Sequence, residues 1–402
     1  MFAAEARRTR RFSAFSAPLR RINYLRFVLI VVNTRLLIPG RLDGIGRFTM
    51  ETLKRITVAQ PESQFVFLFD RAIDEEFIFS ENITPVKLFP PARRPFLFNA
   101  WLNFSVHGVL RDLQPDLFLS PDGFLPLRGT TKCLPVIHDL NFEHYPEDLP
   151  KNIARWYRKK FPLFAKRATR IASVSEFSAN DIVQRYGISR EKIDVVYNGA
   201  TKGFRPLPEE EKAKIRAKHS KGAPYFLYVG ALHPRKNIVR LINAYGAFRR
   251  KHDTQTKLVI AGGNYWGYDA LRKAVEALPD KNEVIFTGRI SDEELFRLMA
   301  AAHALTYVPY FEGFGIPVVE AMACDVPVLT SNVTSMPEIG GEGAYYVDPF
   351  SEESIAEGLH LLDVNQPLRE KLIVQAQRQR EKFTWEKSAN LLWESIERTV
   401  RQ

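Results

Sequence analysis

The stretch Phe311–Val328 reads FEGFGIPVVEAMACDVPV, and its folding decides how its neighbours must be arranged. The run before it, Leu305–Val308, is apolar and predicts a strand that ends there. Gly313 and Gly315 then open a loop, and Pro317 suits a first helical turn, where its missing N–H costs nothing. That construction leaves the amides of Gly313, Phe314, Gly315 and Ile316 at a helix N-terminus, ready for an anion. The glycines let a phosphate or a sugar approach the backbone closely. Glu312 precedes them and Glu320 lies about one turn into the helix, where carboxylates accept hydrogen bonds from sugar hydroxyls. A glycine loop alone is often only a turn. Two carboxylates bracketing an anion site make the stronger signal.

Outward from this stretch, short apolar runs alternate with helical ones in two series. Before residue 200 the expected strands are Leu25–Asn33, Phe65–Phe69, Val86–Phe89, Asp116–Ser120, Leu134–His138, Arg170–Val174 and Ile193–Tyr197. After residue 222 they are Tyr225–Val229, Lys257–Ala261, Glu283–Thr287, Leu305–Val308, Val326–Leu329 and Ala344–Val347. Continuous apolar strands separated by helices predict doubly wound parallel sheets. At roughly 100–200 residues per domain, 402 residues accommodate two such units. We therefore expect an α/β chain of two Rossmann-like domains facing each other across a cleft. A basic tail covers 1–24, the first domain 25–200, a linker 201–222 and the second domain 223–383, with a final helix at 384–402 returning to the first. Ligands of such sheets bind beyond the carboxyl ends of the strands, which here means the cleft.

Three other strand-end loops carry chemistry. In YVGALHPRKN, Tyr228–Asn237, Gly230 ends a strand, and Arg235 and Lys236 precede a helix, a geometry suited to a diphosphate. A solvated basic turn is the equal alternative. In LPVIHDLNF, Leu134–Phe142, a strand delivers His138 and Asp139 to the cleft. In LIPGRLDGIGRFT, Leu37–Thr49, Gly44 and Gly46 crudely echo a dinucleotide fingerprint, with Asp70 after the next strand. The third glycine is missing and about ten residues separate strand from glycine, which weighs against a dehydrogenase. A loop closing over an acceptor or a donor phosphate fits better.

Taken together, these stretches resemble the retaining nucleotide-sugar glycosyltransferases of family 4, which have the GT-B fold. The resemblance runs from about Phe27 to Trp393 and rests on the two-glutamate motif, Glu312 and Glu320. GIGRF at Gly44, HDL at His138, SVSEFS at Ser173, PRKN at Pro234, FTGRIS at Phe286 and SMPE at Ser335 accompany it. The PRKN and HDL variants look most like mannosyltransferase-type members that make surface polysaccharides. The resemblance implies that Arg235 and Lys236 hold the donor diphosphate with the amides of residues 313–316. It implies that Glu320 binds the ribose, and that Glu312 and His138 bind the transferred sugar. Arg289, within Gly288–Ile290, would border the base, and Gly46 and Gly230 would lie near the donor. Asp325 departs from the family, which usually has Gly there; Asp tolerates a left-handed conformation, so the geometry is expected to survive at some cost.

Expected partners are a nucleoside-diphosphate sugar and a glycan or lipid-linked glycan acceptor, with no metal and no further cofactor, since no Asp-x-Asp pair is present. A GT-B epimerase and a non-enzymatic anion or membrane-surface binder are the rival classes. The formal net charge is +11, from 57 Lys+Arg and 46 Asp+Glu. Residues 1–221 carry a net +14 and residues 222–402 a net −3. Lys151–Arg170 holds eight basic residues and no acid, with Trp156, Tyr157, Phe161 and Phe164 interleaved. It reads first as a solvated face whose aromatics pack inward, and otherwise as a contact with an anionic membrane. No recognition motif accompanies the charge, which speaks against nucleic acid. Cys133 and Cys324 have no metal-like spacing and suit buried packing in a reducing compartment. FVLIVV, Phe27–Val32, is too short for a membrane helix. The Arg-rich stretch before it is expected to be a leader without a folded role. A cytoplasmic enzyme, peripheral on the inner face of a membrane, is the expected location.

Overall fold

The computed structural model describes residues 28–402 apart from 93, 264–267 and 279. Two wholly parallel sheets organise it, seven strands in the order β3-β2-β1-β4-β5-β6-β7 and six in the order β10-β9-β8-β11-β12-β13. The first sheet contains β1 (Leu29–Asn33), β2 (Gln64–Phe69), β3 (Ile83–Lys87), β4 (Leu117–Ser120), β5 (Cys133–Ile137), β6 (Ile171–Ser173) and β7 (Ile193–Val195). The second contains β8 (Tyr225–Val229), β9 (Lys257–Ala261), β10 (Val284–Gly288), β11 (Ala304–Tyr307), β12 (Val328–Ser331) and β13 (Ala344–Val347). Helices cover both faces of each, which is why the strands read as unbroken apolar runs: Ile30, Val31 and Val32 are all fully buried.

Differences from the expected elements have local causes. β3 starts three residues early and contains Pro85, which an edge strand tolerates. β12 starts two residues late because the turn before it includes Asp325 at φ 54° and Pro327. Asp325 does adopt the left-handed conformation, and its Oδ1 accepts hydrogen bonds from Arg380 Nη1 at 2.8 Å and Gln377 Nε2 at 3.1 Å. The glycines Gly44 and Gly46 form the first turn of the helix Gly44–Ala59, not a loop. The Asp43 carboxylate caps that helix by accepting the Gly46 amide at 2.8 Å. The expected tail at 1–24, and the strand start at residues 25–27, lie outside the described residues.

The chain passes between the two lobes twice, and the passages run side by side. Ala200 bridges to Thr384, and a Cβ on Gly199 would stand 2.4 Å from the Trp385 nitrogen. From there the helix Trp385–Arg401 lies on the first sheet, with Ser388 donating to the Tyr197 carbonyl and Ser395 to Asp194 at 2.7 Å. Trp385 is fully buried and meets Phe48 edge-on at 6.4 Å between ring centroids. This last helix is therefore a fixed part of the first lobe, anchored by one large side chain. Trp385→Ala is expected to cost about 3–5 kcal/mol of stability, read as a lower urea midpoint.

Candidate active site

The order of the second sheet reverses between β8 and β11, so the loops after these neighbouring strands open side by side. One loop carries Arg235 and Lys236 in a short turn, Pro234–Lys236, closed by Asn237 at φ 64°. The other carries Glu312. Topology alone places the basic pair beside the carboxylate.

Glu312 Oε2 is shared among three groups: Arg235 Nη1 at 2.8 Å, the Tyr307 hydroxyl at 3.0 Å, and Lys236 Nζ. Burial alone would push this carboxyl up, but Arg235, Lys236 and the hydrogen bonds outweigh it and hold Glu312 at about 2. Burial and the neighbouring Arg235 bring Lys236 down to about 8, against the pull of Glu312. Arg235 stays protonated; burial opposes its charge, while Glu312 and Asp139 sustain it. His233 caps this turn by accepting from the Arg235 amide, and burial beside two cations lowers it to about 4, so it adds no third charge.

The first lobe meets this cluster through the loop after β5. Arg235 Nη2 lies 3.7 Å from Asp139 Oδ2, and a Cβ on Gly313 would stand 2.1 Å from the His138 carbonyl oxygen. Only glycine permits that approach. Ser175 Oγ donates to the Gly313 carbonyl at 2.6 Å, and the Glu338 carboxylate accepts the amides of Glu176 and Phe177 at 2.8 and 3.0 Å. The SEFS and SMPE segments are thus the two halves of one contact between lobes. His138 sits edge-on to Phe48, and burial lowers its basicity. Its Nε2 is 2.8 Å from the Pro121 carbonyl, which can only accept, so Nε2 carries the proton and Nδ1 is an acceptor.

The helix Ile316–Ala323 begins after Gly315, at φ 90°, and no side chain caps it. A Cβ on Gly315 would lie 2.5 Å from Met336 Cε. Ile316 faces Gly44 across the cleft. The Phe314 ring does not reach the cleft: it packs against Phe383 and Tyr197, leaving only its backbone for a ligand. Glu320 is buried, and its carboxylate has no hydrogen bond or ion pair among the described residues. Burial pushes it up to about 7, with Arg47 opposing and Asp292 adding. Arg47, from the first lobe, reaches over to Asp292 at 2.8 Å. Arg289 is exposed and spans the cleft to the Gly40 carbonyl at 3.0 Å. Gly230 ends β8, and a Cβ on Gly262, which ends β9, would stand 1.9 Å from its oxygen. The Gly46 amide is already taken by Asp43.

Sequence reasoning therefore named Glu312, Arg235 and Lys236 of this cluster but missed Tyr307 and Gly262, while Arg47 and Ser175 entered only within the GIGRF and SVSEFS motifs. Tyr307 carried a signal, as the polar tip of an otherwise apolar strand end. The partner of Arg47 carried none, because Asp292 lies 245 residues away. Cys133 and Cys324 are free and buried, and burial pushes the Cys133 thiol up to about 11, so it is no nucleophile.

Residues 209–379 match the family model described as Glycosyl transferases group 1, and residues 42–201 that described as Glycosyltransferase Family 4. The chain is 29% identical over 358 residues to O-antigen chain mannosyltransferase B of Escherichia coli, covering 86% of this chain and 93% of that one. It is 32% identical over 220 residues to O-antigen chain mannosyltransferase RfbU of Salmonella typhimurium, covering 54% and 57%. Anabaena HepE, solved in complex with UDP and glucose, shares the fold with a TM-score of 0.72 at 18% identity, over 92% of this chain and 100% of that one.

Glu320 supplies a test of the site's electrostatics. Its folded value, about 7, lies above the ordinary 4.5, so the folded state holds the proton more tightly than the unfolded one. The stability it contributes is complete below pH about 4.5 and is lost as pH rises through about 7, on the order of 3 kcal/mol. Glu320→Gln should remove that slope, and urea titrations across this window will show it.

Proposed function

Because the chain belongs to the family 4 glycosyltransferases of the GT-B fold, we propose that it moves a mannose-type sugar from a nucleoside-diphosphate donor to a hydroxyl of a glycan acceptor, with the anomeric configuration retained. One observation carries this reading. Glu312, shared by Arg235, Lys236 and Tyr307, sits beside an uncapped helix start and against the His138 loop. The names of the two O-antigen relatives support mannose and a surface polysaccharide.

The chemistry follows from charge. Breaking the bond between the anomeric carbon and the diphosphate leaves negative charge on the phosphate oxygens. Arg235, Lys236 and the first-turn amides of the Ile316 helix are placed to receive it. A diphosphate entering between the cations would raise Lys236 from about 8 and keep it protonated. Glu312, ionised throughout the working range, and His138 Nδ1 are acceptors for hydroxyls of the transferred sugar. Glu320, buried without a protein partner, suits a ribose diol. The acceptor oxygen bonds to the anomeric carbon on the face the diphosphate leaves, and its proton passes to a diphosphate oxygen. The products are the glycoside and the nucleoside diphosphate. Contact between the lobes at Gly313 and Asp139 keeps water from competing.

Lys236→Ala and Glu312→Ala should each lower transfer by about tenfold or more, some 1.4 kcal/mol in the barrier. Unchanged turnover in both would sink the assignment. A panel of nucleoside-diphosphate sugars should contain one that raises the melting temperature, since a ligand at 100 Kd adds about 2.7 kcal/mol. Product analysis with that donor should yield a glycoside; a free epimerised sugar would overturn transfer.

A further inference from the structure

The helix Lys151–Arg167 turns its aromatic residues inward, as expected: Phe161 and Phe164 are buried and, with Trp156 and Tyr157, surround Phe124. What it leaves outside is less ordinary. Lys151, Arg155, Lys159 and Lys166 are exposed along one face, and none has an ion pair among the described residues. Like charges four apart on a helix repel and lower its stability, so this stripe is maintained at a cost. With Arg158 and Arg185 it lines a groove of about 880 Å³ whose acidic lining residues are Glu143 and Glu147. Glu143 is already committed to Arg158 at 3.1 Å and to the Tyr186 hydroxyl. Glu147 is the other carboxylate of the lining, so six basic side chains face two acidic ones and the groove keeps an excess of positive charge.

A second feature shares this face of the first sheet. The helical segment Pro95–Leu113 packs beside the basic helix, with Phe98 and Trp156 at 6.1 Å between ring centroids. Its middle, Trp101–Val106, is a π turn, which takes up an extra residue. Phe104 consequently returns to the side of Phe96, eight positions earlier, and these two are 69% and 64% exposed. Phe89 is 69% exposed as well, and its carbonyl accepts the Ser105 hydroxyl, which brings it onto the same turn. Lys87 lies over its ring at 5.8 Å, and Arg94 is exposed beside Phe96. Single exposed apolar residues need no explanation, but three large exposed aromatics along one segment and bordered by cations do.

We propose that this face docks on an anionic lipid bilayer, with Phe89, Phe96 and Phe104 entering the headgroup boundary while the groove takes lipid phosphates. The aromatics lie beside the cations, not among them, which suits apolar insertion and gives no stacking platform for nucleic acid. None of the residues lining the groove bonds to Glu312, Arg235 or Lys236 among the described residues, and the proposal does not depend on the reaction proposed for that cluster.

Sedimentation of the full chain with vesicles tests this. Phosphatidylglycerol vesicles should capture it at low salt and phosphatidylcholine vesicles should not, with capture falling about tenfold or more near 0.5 M salt. The triple variant K151Q/R155Q/K159Q should lower capture by about tenfold or more, because three cations leave the lipid surface. The pair Phe96→Ser and Phe104→Ser should lower it several-fold with the melting temperature unchanged, since both side chains are already in water. Absence of capture overturns the proposal, as does equal capture by neutral vesicles. Full capture of the triple variant overturns it too, since the arginines of residues 1–26 would then be responsible. Oligonucleotide binding that matches vesicle binding and ignores the Phe changes would replace the membrane with nucleic acid.

Discussion

A carboxylate removed from water between two cations is the interaction around which the cleft is arranged. Each charge offsets the cost of holding the others largely out of water, so removing one member leaves its partners under-compensated and lowers stability. The three therefore stay together, and the Tyr307 hydroxyl donates a third hydrogen bond to the same oxygen. Such a cluster is poised for an anionic ligand. The two cations are held in place beforehand, so an anion binding there, as proposed for the donor diphosphate, would meet them without reorganisation.

The contact between lobes depends on that cluster from one side and on small residues from the other. Arg235 reaches Asp139, and Gly313 lies against the His138 carbonyl where no side chain would fit. Ser175 and Glu338 then fasten the backbone of each lobe to the other. At the opposite rim Arg47 pairs with Asp292 and Arg289 with the Gly40 carbonyl. The pairs at that rim are part-exposed and individually weak, whereas the Ser175 and Glu338 bonds are the firmer ones.

Charge is divided between the lobes by task. Residues 1–221 carry a net +14, part of it on the exposed face of the helix Lys151–Arg167. The second lobe carries a net −3 and concentrates its attraction for an anion in two side chains and one helix start. Total charge consequently says little about the reaction.

What the sequence determined by itself was local. Apolar runs placed strands such as Tyr225–Val229 and Lys257–Ala261 with the residues the structure has, and Gly313, Gly315 and Pro317 marked the helix start, because period, turn chemistry and capping act over a few residues. Glu312, Arg235, Lys236 and His138 were legible as residues of strand-end loops, and Glu320 as a helix residue just beyond one, for the same reason. Only the tertiary structure decided who faces whom. The reversal of strand order set Glu312 on Arg235, 77 positions away, and closure of the lobes joined Arg47 to Asp292. It also turned the Phe314 ring into the core and assigned the Gly46 amide to Asp43. These pairings arise from packing between distant segments, and no local pattern in the chain encodes them.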